Sequence, residues 1–175
     1  MLRDIDITYP NQVWAADITY LPLGKKHAYL FAIMDWYSRY VVAWCVAPTL
    51  EAYYYVDTLI EALKHRRCEI LNTDQGSQFN SHQWIDTLTE HKISISMDGR
   101  GRYLDNIFVE RLWRSVKQEC VYRREFESID QIQLALAQYF EYYNHHRKHQ
   151  GLDYQTPARG YFQKKIKIKQ TEISS

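Results

Sequence analysis

No apolar run in the 175-residue sequence approaches the ~20 residues that a membrane-spanning helix needs. The opening stretch, MLRDIDITYP, has no apolar segment of the kind a secretory signal carries. Cysteine is scarce, with three residues at 45, 68 and 120, far apart and without a CxxC pair. That pattern excludes a disulfide framework and fits buried thiols in a reducing cytosol. No histidines pair with these cysteines to make a zinc site. Internal repeats and low-complexity linkers are absent. These absences predict a cytoplasmic protein with no membrane partner.

What is present suits one domain with a sizeable core: 46% hydrophobic residues, 15 Tyr, 6 Phe and 5 Trp. The formal net charge is only +1, but it is unevenly spread. Residues 98–124 carry seven Lys/Arg against four acids, and residues 138–175 carry seven against three. The remainder is acidic. Basic charge therefore gathers on the later helices and on the tail KKIKIK, which suits a polyanion partner. A merely solvated face would look the same.

Strand-like runs come first, at Gln12–Leu21, Tyr29–Trp36 and Tyr40–Ala47, with PLGKKH between the first two as a hairpin signal. A helix follows over 49–67, with Thr49 as a candidate N-cap, then a short strand CEILNT. Ser81 caps a second helix, ISISM is a fifth strand, and DGRGRYLD is a glycine-bearing loop. NIFVERLWRSVKQECVY is helical. Ser128 opens a last long helix through a capping box with Gln131, ending near YYNHHRKHQG. The order βββ-α-β-α-β-α-α predicts an α/β fold, a mixed sheet of an antiparallel three-strand meander and β-α units, with helices on both faces.

Three carboxylates stand out. Asp17 lies mid-strand, where alternation puts Val13, Ala15, Asp17 and Thr19 on one face. A charge there costs stability unless it is paired or binds a metal. Asp74 ends the fourth strand in NTDQGSQF, where open α/β sheets place their sites. Gly76 after it permits a close backbone approach. Glu110 lies on the helix after the glycine loop. Val109, Leu112, Trp113, Val116 and Cys120 form that helix's apolar stripe, and Glu110, Arg114 and Lys117 a neighbouring one. Three converging acids without enough basic partners repel one another, and Mg²⁺ or Mn²⁺ resolves the repulsion. Two ions ~3.5–4 Å apart can clamp both oxygens of a phosphodiester displacement, with Arg114 and Lys117 facing the phosphates. Taken singly, each acid also fits a structural role: a bonded strand acid, a turn residue, a solvated helix acid.

In the loop, Arg100 and Arg102 suit a grip on DNA backbone, although a plain long loop has the same composition. In YYNHHRKHQGL, Arg147 and its neighbours suit DNA contact by stacking and phosphate pairing. Equally, Ile132, Tyr139 and Tyr143 can be core there and the bases merely exposed. His145, His146 and His149 lack a fourth ligand for a metal.

The spacing of 35 residues between Asp74 and Glu110 goes with a set of matching words. They are VWAADITYLPL, FAIMDWYSRYVVAW, NTDQGSQF, ISMDGRGRYLDNIFVERLWRSVKQE and YYNHHRKHQGLDYQTPARGY. Together, from about Asn11 to Tyr161, they resemble the catalytic part of bacterial insertion-sequence transposases of the OrfB class, in the retroviral-integrase superfamily. The resemblance implies an RNase H-like fold with a five-stranded sheet and a DDE triad of Asp17, Asp74 and Glu110. It also implies two Mg²⁺ (or Mn²⁺) ions, cleavage at element ends and transfer of the 3′-OH into target DNA. Lys117 matches a family lysine that contacts DNA. Many members carry His where this chain has Asn72, a position expected to tune DNA or metal contacts. Implied partners are terminal-repeat and target DNA, further copies of the chain on DNA, and an OrfA or upstream helix-turn-helix product. The implied localisation is the bacterial cytoplasm, at the nucleoid when bound to DNA. The expected organisation is an N-terminal extension over 1–10, a catalytic core over 11–125, a C-terminal helical extension over 126–160 and a disordered basic tail over 161–175. A non-catalytic remnant that binds DNA or inhibits a transposase is the alternative, and a nuclease of RNA–DNA hybrids a third reading.

Overall fold

A computed structural model of the chain describes residues 5–97 and 107–163. Its sheet begins with β1 (Val13–Leu23), β2 (Lys26–Asp35) and β3 (Val41–Ala47). The β1–β2 ladder continues through Pro22↔His27 and Leu23↔Lys26. The expected loop therefore shrinks to two residues. Gly24 holds a positive φ of 53° at its first position, where a side chain would be strained. β4 (Ile70–Thr73) and β5 (Ser94–Met97) then add in parallel, giving the order β3-β2-β1-β4-β5.

The helices are α1 (Ala52–Leu63), α2 (His82–Glu90), α3 (Ile107–Glu119), α4 (Ile129–His145) and α5 (Pro157–Phe162). Helix α1 starts later than expected. Its N-cap is Glu51, and the Thr49 hydroxyl is taken by the Glu51 carboxylate at 3.0 Å. Ser81 and Ser128 do cap α2 and α4, accepting from the amides of Trp84 and Gln131 at 3.3 Å each. Gln131 reaches back to the amide of Glu127 rather than to that of Ser128.

Alternation along the strands builds two cores. Ala15, Leu30, Ala32 and Met34 face α3 and α4. Trp14, Ala16, Phe31 and Ile33 face α1, α2 and α5. In the second core Phe31 meets the ring of Trp84 edge-on at 6.0 Å and lies 5.1 Å from that of Tyr55. Each such pair adds ~0.5–1.5 kcal/mol beyond area burial. On β3 the alternation slips once: Ile33 faces Ala43 while Met34 faces Val41, so Val42 is an extra residue. This bulge turns both Val42 and Ala43 toward the second core.

Candidate active site

Parallel pairing sets the first two acids side by side. Val13 pairs Ile70 and Ala15 pairs Asn72. The same register carried two residues on brings Asp74, just past the end of β4, level with Asp17. Neighbouring strands run ~4.8 Å apart. Asp17 shares the face of Ala15, under α3, and there the indole Nε1 of Trp113 donates to its Oδ2 at 2.8 Å. Glu110 precedes Trp113 by three residues on α3, about one turn back, and is exposed.

The electrostatics follow from this geometry. Burial pushes the Asp17 carboxyl up to about 6. The Trp113 N–H and the Ile18 amide oppose that shift, and the charges of Asp74 and Glu110 add to it. Both acids therefore act at Asp17. Among the described residues, ion pairs form elsewhere, at Glu61, Glu141 and Glu119, and none involves Asp17, Asp74 or Glu110. No group of three His, Cys, Asp or Glu side chains among the described residues forms a ready metal cage. The chemistry of the set suits a hard divalent cation: three carboxylates that form no ion pair among the described residues. Asp74 and Glu110 are exposed.

Gly76 secures the strand tip. Its amide donates to Asp74 Oδ1 at 2.9 Å. A Cβ at this position would lie 2.9 Å from that oxygen and 2.7 Å from Gln78 Oε1. A side chain here would push the Asp74 carboxylate and the Gln78 amide out of their present positions, while the φ of −57° suits any residue.

The other sequence candidates separate. Asn72 is buried on β4, between Ala15 of β1 and Ser96 of β5. Arg114 is exposed and Lys117 half-buried on α3, one and two turns beyond Glu110. Arg100 and Arg102 lie outside the described residues, as does the tail from 164 onward. Arg147 is engaged within the fold. Its Nε lies 3.0 Å from Glu119 Oε2, and its Nη2 lies 2.7 Å from Glu119 Oε1. His145 pairs with Glu141 at 3.9 Å, and His149 packs edge-on against Tyr143.

Sequence reasoning placed Trp113 only in an apolar stripe and overlooked its role beside Asp17. The signal was there: a buried indole N–H needs an acceptor, and Glu110 lies one turn away. It also passed over Asp35, which is fully buried. That carboxylate accepts from the amides of Asn11 at 2.6 Å and Ser38 at 2.8 Å and so folds the β2–β3 turn.

Comparison with known proteins follows the same lines. The fold resembles the retroviral integrase in an intasome structure from simian T-cell lymphotropic virus, at TM-score 0.77 and 19% identity over 90% of this chain and 56% of that one. It also resembles the HTLV-2 integrase catalytic core domain in complex with magnesium, at TM-score 0.66 and 16% identity over 89% of this chain and 98% of that one. The architecture is thus RNase H-like. Models of the integrase core domain match residues 8–102 and 91–157, and the chain belongs to that family. Its curated relatives are bacterial insertion-sequence transposases. That for IS904 of Lactococcus lactis subsp. lactis (strain IL1403) is 32% identical over 154 residues, 86% of this chain and 61% of that protein. Transposase InsF for IS3A of Escherichia coli (strain K12) is 35% identical over 151 residues, 84% of this chain and 52% of that protein. The chain therefore spans half to three-fifths of their length.

Proposed function

We propose that the chain is the catalytic part of a DDE transposase, cutting DNA strands at element ends and joining them to target DNA. The observation that supports this reading is Asp17, buried beneath α3 against the Trp113 N–H and within reach of the charges of Asp74 and Glu110, none of the three forming an ion pair among the described residues. Asp17, Asp74 and Glu110 would hold two divalent ions, Mg²⁺ or Mn²⁺. When bound, these supply positive charge for the oxygens of a phosphodiester displacement.

The chain's own residues have distinct tasks. The Trp113 N–H holds Asp17 Oδ2 in place and favours its ionised form. The Gly76 amide fixes the Asp74 carboxylate at the strand tip. Arg114 and Lys117 meet the phosphates of the incoming strand, Arg100 and Arg102 grip the backbone, and Asn72 supports Asp74 from within β4. Arg147 acts from behind, bracing the end of α3 through Glu119. In the first step a water oxygen attacks phosphorus and a 3′-OH leaves. In the second, that hydroxyl attacks a target phosphodiester, so one such bond forms and one breaks. No bond joins protein to DNA. The partners are terminal-repeat DNA, target DNA and further copies of the chain on DNA, together with an OrfA-type or upstream helix-turn-helix product. The setting is the bacterial cytoplasm, at the nucleoid.

The test is strand transfer on a labelled oligonucleotide carrying the terminal repeat, with Mn²⁺ or Mg²⁺, beside Asp74→Asn and Glu110→Gln. Joined product that needs metal and vanishes in both variants is expected. Joining that survives in either variant would refute the triad. DNA binding without joining by any form would favour a non-catalytic binding protein.

A further inference from the structure

We propose that a cavity between the first turns of α3 and the end of α4 is a phosphate-binding pocket. In it Arg39, Arg111 and Lys148 take one phosphate group of a DNA strand lying at the candidate active site. This rests on the function proposed above only for its choice of DNA as the source of the phosphate.

The cavity measures about 270 Å³ and is walled by Arg39, Phe108, Arg111, Arg147 and Lys148, with Gly151 at its rim. It belongs to none of the three acids, yet Arg111 directly follows Glu110 on α3. Its lining is rich in cations and poor in anions. Glu119, the carboxylate in contact with the lining, is consumed by Arg147. Asp35, whose charge reaches Arg39, already accepts from Asn11 and from both the amide and hydroxyl of Ser38. Arg39, Arg111 and Lys148 form no ion pair among the described residues.

Arg39 is built into this position at a cost. Its backbone sits in the left-handed region at φ 64°, which disfavours a side-chain-bearing residue. Its guanidinium lies over the Phe108 ring, 3.0 Å from the centroid. Its Nη1 is buried and has no hydrogen-bond partner. A half-buried guanidinium held on an aromatic ring, with a nitrogen lacking an acceptor, is an incomplete arrangement. Burial and the neighbouring Arg111 lower its affinity for a proton to a pKa of about 10. Nearby, burial and the charges of Arg147 and Arg39 hold His149 down at about 4, so its imidazole is neutral. With Arg39, Arg111, Arg147 and Lys148 in its lining and no carboxylate among the lining residues, the cavity is positive, and an anion there supplies the missing acceptor. Phosphate suits a cluster of guanidinium donors because several of its oxygens can accept at once.

The experiment is fluorescence anisotropy of a labelled DNA duplex with the full chain in EDTA, so that no strand is cut, titrated against salt. Wild type is compared with Arg39→Gln, Arg111→Gln and, as control, Lys25→Gln on the exposed β1–β2 turn. Each lost phosphate contact lowers the slope of log K against log salt by about one. We expect that drop, and a several-fold loss of affinity, in both pocket variants but not in the control. Arg111 is exposed, so its variant reports even if Arg39→Gln unfolds. Unchanged slopes in the folded pocket variants overturn the proposal. If wild type binds no duplex, inorganic phosphate is tested against chloride at equal ionic strength by thermal shift. Stabilisation by phosphate that Arg111→Gln removes supports the pocket with a free-phosphate source, whereas no difference overturns it.

Discussion

Asp17 illustrates how one residue sets the terms of the site. The surrounding sheet and helix withdraw water from it, and two acid neighbours add repulsion, so its proton is held up to about 6. An unfolded aspartate titrates near 3.9. The folded state thus binds this proton more tightly than the unfolded state. The stability it contributes is present below the unfolded value and is lost as pH rises through about 6. That loss is on the order of 2–3 kcal/mol for a shift of this size. Asn at this position keeps an oxygen for the Trp113 N–H but carries no charge. Metal-free Asp17→Asn is therefore expected to melt several degrees higher than wild type at pH 7.5, with the difference vanishing near pH 4. Thermal melts across pH check this. Mn²⁺ should raise the melting temperature of wild type and leave the variant unmoved. A variant less stable than wild type at pH 7.5 would contradict the account.

At the scale of elements, the sheet edge depends on a side chain. β3 is the outer strand, and the amide of Asn144 on α4 both accepts from the Val41 N–H at 2.9 Å and donates to the Val41 C=O at 3.0 Å. One asparagine thus takes the place of a sixth strand at that point and docks α4 on the sheet. Replacing it with leucine leaves two buried backbone groups without partners, each costing ~1–3 kcal/mol. Asn144→Leu should lower stability by ~2–6 kcal/mol in urea unfolding. A loss under ~1 kcal/mol would mean that water reaches Val41. The Glu119–Arg147 pair is a second tie between α3 and the end of α4. It is partly exposed, so less depends on it.

For the molecule as a whole, α4 is part of the core that carries the acids. Leu136, Phe140 and Tyr143 are each at most 3% exposed, in one cluster with Val109, Leu112 and Trp113 of α3. Further along, the Tyr161 hydroxyl on α5 donates to Asn11 Oδ1 at 2.6 Å, tying the end of the described chain to the start of β1. A chain ending at residue 125 loses both supports. It is expected to show no cooperative melt, and tryptophan fluorescence shifted toward that of exposed indoles. A sharp melt from that fragment would show instead that residues 11–125 are a self-sufficient unit.

The order of elements was legible because each carried local chemistry. β-branched and aromatic runs marked strands, Ser81 and Ser128 marked helix starts, and the 3.6-residue stripe on α3 marked its buried face. The placement of Asp17 within β1 and of Asp74 just past β4 was legible for a related reason: β-branched and aromatic runs, ending at turn residues, fix where those strands lie. The Val42 bulge, the edge role of Asn144 and the Trp113–Asp17 bond were not legible. The last two join residues far apart in sequence, 103 positions for Asn144 and Val41 and 96 for Trp113 and Asp17, and the bulge is a slip of one residue within a hairpin that alternation alone does not mark. Arg39 belongs with them, since nothing local to SRY announces an arginine laid on a phenylalanine 69 residues on. By itself the sequence determined which segments become strands and helices. Only the tertiary structure decided which of their residues meet, because the parallel register and the packing of α3 and α4 are set by the whole core at once.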